Sequence, residues 1–296
     1  MLYTITHTTR YAYTHPVSVC QNIVALTPRD DYRVHCLMHR MRIRPNPINV
    51  HRRTDFFGNQ LTVFSIDENH EELTISAVSR VKVEAPNLTV QRASQDWQIV
   101  RDQLSRCQDP HWLSTCNYLY DSPRIIRNGQ YADYAKKAFG PGVSLFEAAL
   151  HLTGCIYREF KYDSTATQTH TPTQQAFQMR RGVCQDFAHI MIACLRSLGI
   201  PAKYVSGYLR TIPPPGKQRL IGADQSHAWV AVYCGPEQGW IEMDPTNNSI
   251  CSTDHIPIAW GRDYTDVVPV RGAYLGGGES ALSVAVDVTP VDPLNR

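Results

Sequence analysis

Several things are missing from this 296-residue sequence, and each absence removes a class of protein. Its nine cysteines, at 20, 36, 107, 116, 155, 184, 194, 234 and 251, are odd in number and never spaced C-x-x-C. A disulfide framework and a paired-cysteine zinc site are therefore both disfavoured. No apolar run approaches the roughly 18 residues of a membrane span, and "MLYTITHTTRYAYTHP" lacks the basic and apolar regions of a secretory signal, so a cytoplasmic protein is expected. Neither sign of charge dominates: 29 Lys and Arg face 27 Asp and Glu, interspersed along the chain. Nucleic acid and membrane are not expected as partners. There is no internal repeat, and the only biased stretch is the proline-rich "IPPPGKQR" at 212–219.

What is present is an ordinary globular composition, 43% apolar and 19% charged, in a chain long enough for about two domains. The first ninety residues have the period of strands. Tyr3, Ile5, Tyr11 and Tyr13 share one parity, "LTVFSID" and "ELTISAVSRVKVE" continue the alternation, and Gly58-Asn59 signals a hairpin turn. The texture then turns helical in "SQDWQIVRDQLSRC", "YADYAKKAFG" and "SLFEAALHLTGCIYREF", the last opening on an N-cap at Ser144 with Glu147 three residues on. Strands return in "AKYVSGYLR", "HAWVAVY", "GWIEMDP" and "SALSVAVDVTPV". The expectation is an α+β protein. It has an antiparallel β-sandwich-like domain at 1–90, a helical connection at 91–140, and at 141–296 a core with a central helix on an antiparallel sheet and a C-terminal strand extension.

The central helix lies in "RRGVCQDFAHIMIACLRSLGIPAKYVSGY". Phe187, Ile190, Met191, Cys194, Leu195 and Leu198 form an apolar stripe, and Gly199 with Pro201 ends it. Cys184 falls in the first turn, where unpaired N–H groups and the helix dipole favour negative charge. A thiol in such a place, with a cationic histidine beside it, ionises at roughly 3.5–7.5 instead of about 8.5. Such a thiolate is a nucleophile that needs a base and something to orient the base.

Two histidines are candidates for the base. His189 is rotated by about 140° from Cys184 on a regular helix, so it is expected to pack under a loop. His227 opens one strand of a hairpin and Asp244 closes the other, which suits an imidazole held by a carboxylate. The two share a face only if the strands pair in an odd register, so an even-length loop or a bulge is expected between them. Other roles are weighed for the remaining residues. Cys184 with His189, and Cys234 with Cys251, lack the spacing of structural zinc. Asp186 is expected to cap or to be solvated, and Trp229 and Trp240 to pack on the helix stripe.

The stretches "GVCQDFAHIMIACLRSLGIPAKYVSGYL", "DQSHAWVAVY" and "GWIEMDPTNN" together resemble the core of the transglutaminase-like superfamily of papain-like folds. "HTTRYAYTHPV", "DFFGNQLTVF" and "GRDYTDVVPVRG" are similar to a bacterial branch with its own N-terminal β domain. The resemblance implies a catalytic triad of Cys184, His227 and Asp244 acting on an amide or peptide carbonyl of a peptide or protein substrate, with no metal or other cofactor. A cysteine peptidase or amidase is the leading expectation. A protein-glutamine acyltransferase, or a non-catalytic binding module keeping the fold, are the alternatives. No acidic calcium loop is visible. The N-terminal domain is expected to present substrates or to bind a partner protein, the 211–226 loop to shape the substrate site, and Gln185 or Tyr162 to assist the Cys184 N–H at an oxyanion.

Overall fold

The computed structural model describes residues 1–87, 95–106, 110–211 and 225–291, and the proline-rich 212–219 stretch lies outside them. Five strands open the chain: β1 (Leu2–Val24), β2 (Val34–Arg44), β3 (Asn49–Thr54), β4 (Gln60–Ile66) and β5 (His70–Val83). They form one antiparallel sheet in the order β2-β5-β1-β4-β3. The sandwich-like shape is made by this single sheet. The long β1 pairs with β5 along its first half and with β4 along its second, and its register slips between Ala12 and Val17 where it changes partner. The expected parity holds, with Tyr3, Ile5 and Tyr13 all buried. At the β3–β4 hairpin Gly58 takes φ 81°, and the Asp55 carboxylate accepts the N–H groups of Phe57 and Asn59, each at 2.8 Å. That is an Asx-type turn, the chemistry that Asp and Gly bring to tight corners.

Helices α1 (Trp97–Arg106), α2 (Pro110–Cys116), α3 (Gly129–Ala135), α4 (Leu145–Glu159), α5 (Thr173–Met179) and α6 (Cys184–Ser197) follow, with the short parallel pair β6 (Lys161–Tyr162) and β7 (Arg181–Gly182) on either side of α5. Ser144 caps α4 by accepting the Glu147 N–H, as its spacing predicts. A five-stranded antiparallel sheet then runs β11-β10-β9-β8-β12, from β8 (Ala202–Leu209), β9 (Gln225–Tyr233), β10 (Trp240–Asp244), β11 (Ser249–Ile250) and β12 (His255–Gly261). Helix α6 is covered on every side: Phe187, Ile190, Met191, Cys194 and Leu195 are all at most 2% exposed. Each such aliphatic or aromatic side chain contributes about 1.5–3 kcal/mol on burial. Gly199, at φ 80°, turns the chain out of the helix at the expected place.

The last two strands, β13 (Val270–Gly276) and β14 (Ser280–Pro290), do not extend the core sheet. Both pair antiparallel with β1, β14 along its first half and β13 along its second, bringing the N-terminal sheet to seven strands. The two sheets meet where Tyr3, Ile5, Val286 and Val288 pack against Tyr208, Ile256 and Ile258.

Candidate active site

Cys184 is the first residue of α6, and the residues before it explain how it is held. Arg180 adopts a left-handed conformation at φ 53°, with its guanidinium 4.5–4.7 Å from the ring centres of Tyr134, Phe160 and Phe177. Gly182 follows because a Cβ there would collide with the Asp186 carboxylate. That carboxylate accepts the Val183 N–H at 2.9 Å and the Thr167 hydroxyl at 2.6 Å, so Asp186 caps the helix start while almost fully buried. Burial pushes its carboxyl above the usual range, against the pull of those two donors. The Cys184 N–H lies in the first turn, where the helix supplies it no acceptor.

The β9–β10 hairpin pairs Tyr233 with Trp240 and Val230 with Met243, an odd register closed by the even loop 234–239. Gly235 and Gly239 both take positive φ in that loop. His227 and Asp244 consequently share a face as diagonal neighbours. His227 Nε2 lies 2.7 Å from Asp244 Oδ2, and the imidazole is also hydrogen-bonded to the Cys184 side chain. With Nε2 committed to the carboxylate, Nδ1 is the nitrogen left for the thiol. The sequence therefore names three side chains that the fold joins in one chain of hydrogen bonds.

Electrostatics follow from this geometry. His227 is 9% exposed and Asp244 0%. Burial alone would lower the His227 pKa, but hydrogen bonds to Asp244 and Cys184 outweigh it and push the value up to about 10. Burial would raise Asp244, yet hydrogen bonds from His227 and His255 hold it well below the usual carboxylate range. An imidazolium beside a carboxylate is the stable arrangement here.

Two further residues join the network, His255 and Asn247. His255, at the start of β12, donates Nε2–H to Asp244 Oδ2 at 3.1 Å, its Nδ1 accepting the Ser252 N–H at 3.4 Å. Asn247 donates its side-chain amide to the same oxygen at 2.7 Å, and the N–H groups of Thr246 and Asn247 occupy Oδ1. "DPTNN" is a turn signal that could have suggested the Asn247 contacts. Nothing local points to His255. His227, Asp244 and His255 also form a group whose ligand atoms lie within 4.8 Å of one another, the geometry a metal would require. In this arrangement both imidazole Nε2 atoms lie within hydrogen-bond distance of a single carboxylate oxygen.

Other expectations are sorted by the same coordinates. His189 is buried, accepts the Tyr264 N–H at 3.2 Å and rests against Tyr204. Burial lowers its pKa to about 3, so it stays neutral. Trp229 does not pack on α6, because it shares His227's parity. The helix takes Ala228, Val230 and Val232, while Trp229 turns to the far face and donates its indole N–H to Glu242 at 2.9 Å. Trp240 borders both faces. Gln185's amide donates to the Thr169 carbonyl at 2.9 Å, at the edge of the same cavity. The loop expected to shape the site, apart from its ends, lies outside the described residues.

Residues 3–82 match the bacterial transglutaminase-like N-terminal region, and residues 132–245 match the transglutaminase-like superfamily. A protein of Mycobacterium tuberculosis strain H37Rv, itself uncharacterized, is 38% identical over 98% of this chain and 93% of its own. A protein-glutamine gamma-glutamyltransferase of Pseudomonas aeruginosa is 35% identical over 32% of this chain and 15% of its own. Among solved structures, a cysteine protease candidate from Cytophaga hutchinsonii superposes with a TM-score of 0.75 at 23% identity, covering 99% of this chain and 92% of that one. That likeness establishes a shared fold over both sheets and the helices between them. Two matched regions spanning the N-terminal sheet and the core, with a full-length relative at this identity, place the chain in the transglutaminase-like superfamily, with the bacterial N-terminal region of that group.

Proposed function

We propose that the protein is a thiol enzyme that transfers acyl groups from amide or peptide carbonyls, through a thioester on Cys184. The observation that carries this reading is the position of His227, hydrogen-bonded to the Cys184 side chain on one side and to the buried Asp244 carboxylate on the other. In the reaction Cys184 sulfur attacks the carbonyl carbon, and the oxyanion forms against the Cys184 N–H at the head of α6. The C–N bond breaks as His227 gives its proton to the leaving amine, which departs and leaves the acyl group on sulfur. Water or an amine then attacks the thioester as His227 takes a proton from it, and the thiol is released. Asp244 holds the ring so that Nδ1 faces sulfur throughout.

Hydrolysis, as by a cysteine peptidase or amidase, is the leading outcome. Transfer to an amine is the second, favoured by the local likeness of residues in this core to the Pseudomonas aeruginosa glutamyltransferase. Residue-resolved alkylation by iodoacetamide from pH 5 to 9, read by mass spectrometry, tests the nucleophile. Cys184 is expected to react near pH 6 faster than any other thiol in the folded protein and to lose that advantage in His227→Ala. Equal reactivity with other accessible thiols would favour a binding module that keeps the fold without the chemistry.

A further inference from the structure

The cavity in front of Cys184 and His227, about 570 Å³, has two walls from different parts of the chain. Core residues form one. The other is a single face of the N-terminal sheet: His7, Thr9 and Tyr11 of β1 beside Val286, Val284 and Leu282 of β14. Their register is direct, His7 opposite Val286, Thr9 opposite Val284 and Tyr11 opposite Leu282, so all six side chains point the same way.

That face changes character along its length. At one end Val286 and Val288 are 1% and 0% exposed, sealed against the core. Two and four residues earlier, on the same face and still apolar, Val284 is 49% and Leu282 58% exposed. The apolar alternation of "LSVAVDV" thus continues past the point where the described residues cover it, and it does so inside the cavity that holds Cys184. The polar members of the wall have no spare hydrogen-bonding demand at the imidazole. His7 Nδ1 is paired with the Tyr208 hydroxyl at 2.8 Å and Nε2 with Thr9 at 2.9 Å, and burial lowers the ring's pKa to about 4, so it is neutral. A wall of this kind offers contact area and no charge.

We infer that Leu282 and Val284 of the C-terminal strand, added to the N-terminal sheet, form a subsite that selects acyl donors with an aliphatic or aromatic side chain within a few residues of the reacting carbonyl. The occupant is an extended peptide segment, since a cavity of this size admits two or three residues at about 3.3 Å each beside the thiol. The inference rests on the acyl-transfer reading for its orientation toward Cys184, but its test does not need the reaction.

Cys184→Ala protein is titrated calorimetrically with end-blocked Gly-X-Gln-Gly peptides, X being Leu, Ala or Glu, which offer both side-chain and backbone amides. The Leu peptide is expected to bind about tenfold more tightly than the Ala peptide, the scale of a few buried methylenes, and the Glu peptide more weakly than either. Adding Leu282→Ser or Val284→Ser, singly and together, should shrink the Leu preference towards one, whereas Val284→Ile retains it. Both positions are half exposed, and an unchanged Tm in each single variant certifies the fold. Equal affinity for Leu and Ala, no saturable binding of the Leu peptide, or a preference that survives both serine changes would each overturn the subsite. Iodoacetamide labelling of the wild type reports on the thiol separately, so a failed nucleophile and a failed subsite give different results.

Discussion

The two faces of the β9–β10 hairpin divide the work of the core between them. Toward α6 it presents Ala228, Val230, Val232, Ile241 and Met243, all apolar and buried. On the opposite face it presents His227, Trp229, Ala231, Glu242 and Asp244, nearly as buried and with three ionisable side chains among them. The first face holds the helix by area; the second is held by partners, since each of its polar groups meets a specific donor or acceptor. A strand's period of two keeps the residues that pack on α6 at even positions of β9 and His227 at an odd one. The lesson is that a residue's neighbour in sequence tells less about its role than the residue two places away.

Changes to the Cys184–His227–Asp244 group should break chemistry and leave the fold, and the largest effect is expected there. Cys184→Ala should abolish turnover of any amide substrate. Asp244→Asn should cost roughly 10²- to 10⁴-fold in kcat/KM, since the imidazole loses the carboxylate that orients it. Both variants should give near-native circular dichroism; a collapse of the far-ultraviolet spectrum in Asp244→Asn would blur the division between the faces.

Next in size is a change that reaches the polar face from the bend before β2. Arg33 is buried, 3.0 Å from Glu242 Oε2, and it also donates to the Ser252 carbonyl at 3.1 Å. Arg33→Ala leaves the Glu242 carboxylate buried, with the Trp229 indole N–H still donating to that oxygen but no guanidinium to balance its charge. The expected loss is about 3–5 kcal/mol by urea unfolding. Arg33→Met with Glu242→Leu should recover most of it, which a purely additive pair of defects would not do.

Ile241→Ala, on the apolar face, should cost about 2–5 kcal/mol through a cavity under α6. Its iodoacetamide rate at Cys184, measured where the protein remains folded, should match the wild type within about twofold, an order-of-magnitude allowance for a distant site. A large fall in that rate would mean that packing under the helix sets the thiol's reactivity and would join what the comparison separates.

The last effect concerns pH. His227 has its pKa raised to about 10 in the fold, against about 6.5 unfolded. Its ionised form therefore stabilises the fold fully below about pH 6.5, and this contribution fades as pH rises through about 10. Asp244 is depressed, so its contribution is present above the usual carboxylate range and fades as pH falls. The Tm gap between wild type and His227→Gln should narrow from pH 7 to 10, at about 2–4 °C for each kcal/mol lost. A gap that widens over that window would contradict a charged imidazole.

Much of this division was legible from residue order, and the missed parts share a cause. The helix stripe from Phe187 to Leu195, the Ser144 cap and the odd hairpin register all depend on residues close in sequence, and all appear as expected. The same parity that aligned His227 with Asp244 also assigned Trp229 to their face, and the expectation that it would cover the helix overlooked this. His255 reaches Asp244 across a loop, and β13 and β14 reach β1 across the whole core. Such long-range pairing leaves no periodic trace, because alternation reports that a strand has a buried face without naming the sheet that buries it.

The placement of β13 and β14 has a consequence in time as well as in space. The chain leaves the ribosome N-terminus first, so β1 emerges well before the strands that flank it at 270–290, with the entire core made in between. The residues of the core's helix and hairpin are all synthesised while one edge of β1 still waits for its partners. Synthesis order thus makes the β1 half of the wall before the thiol it faces and the β14 half after it.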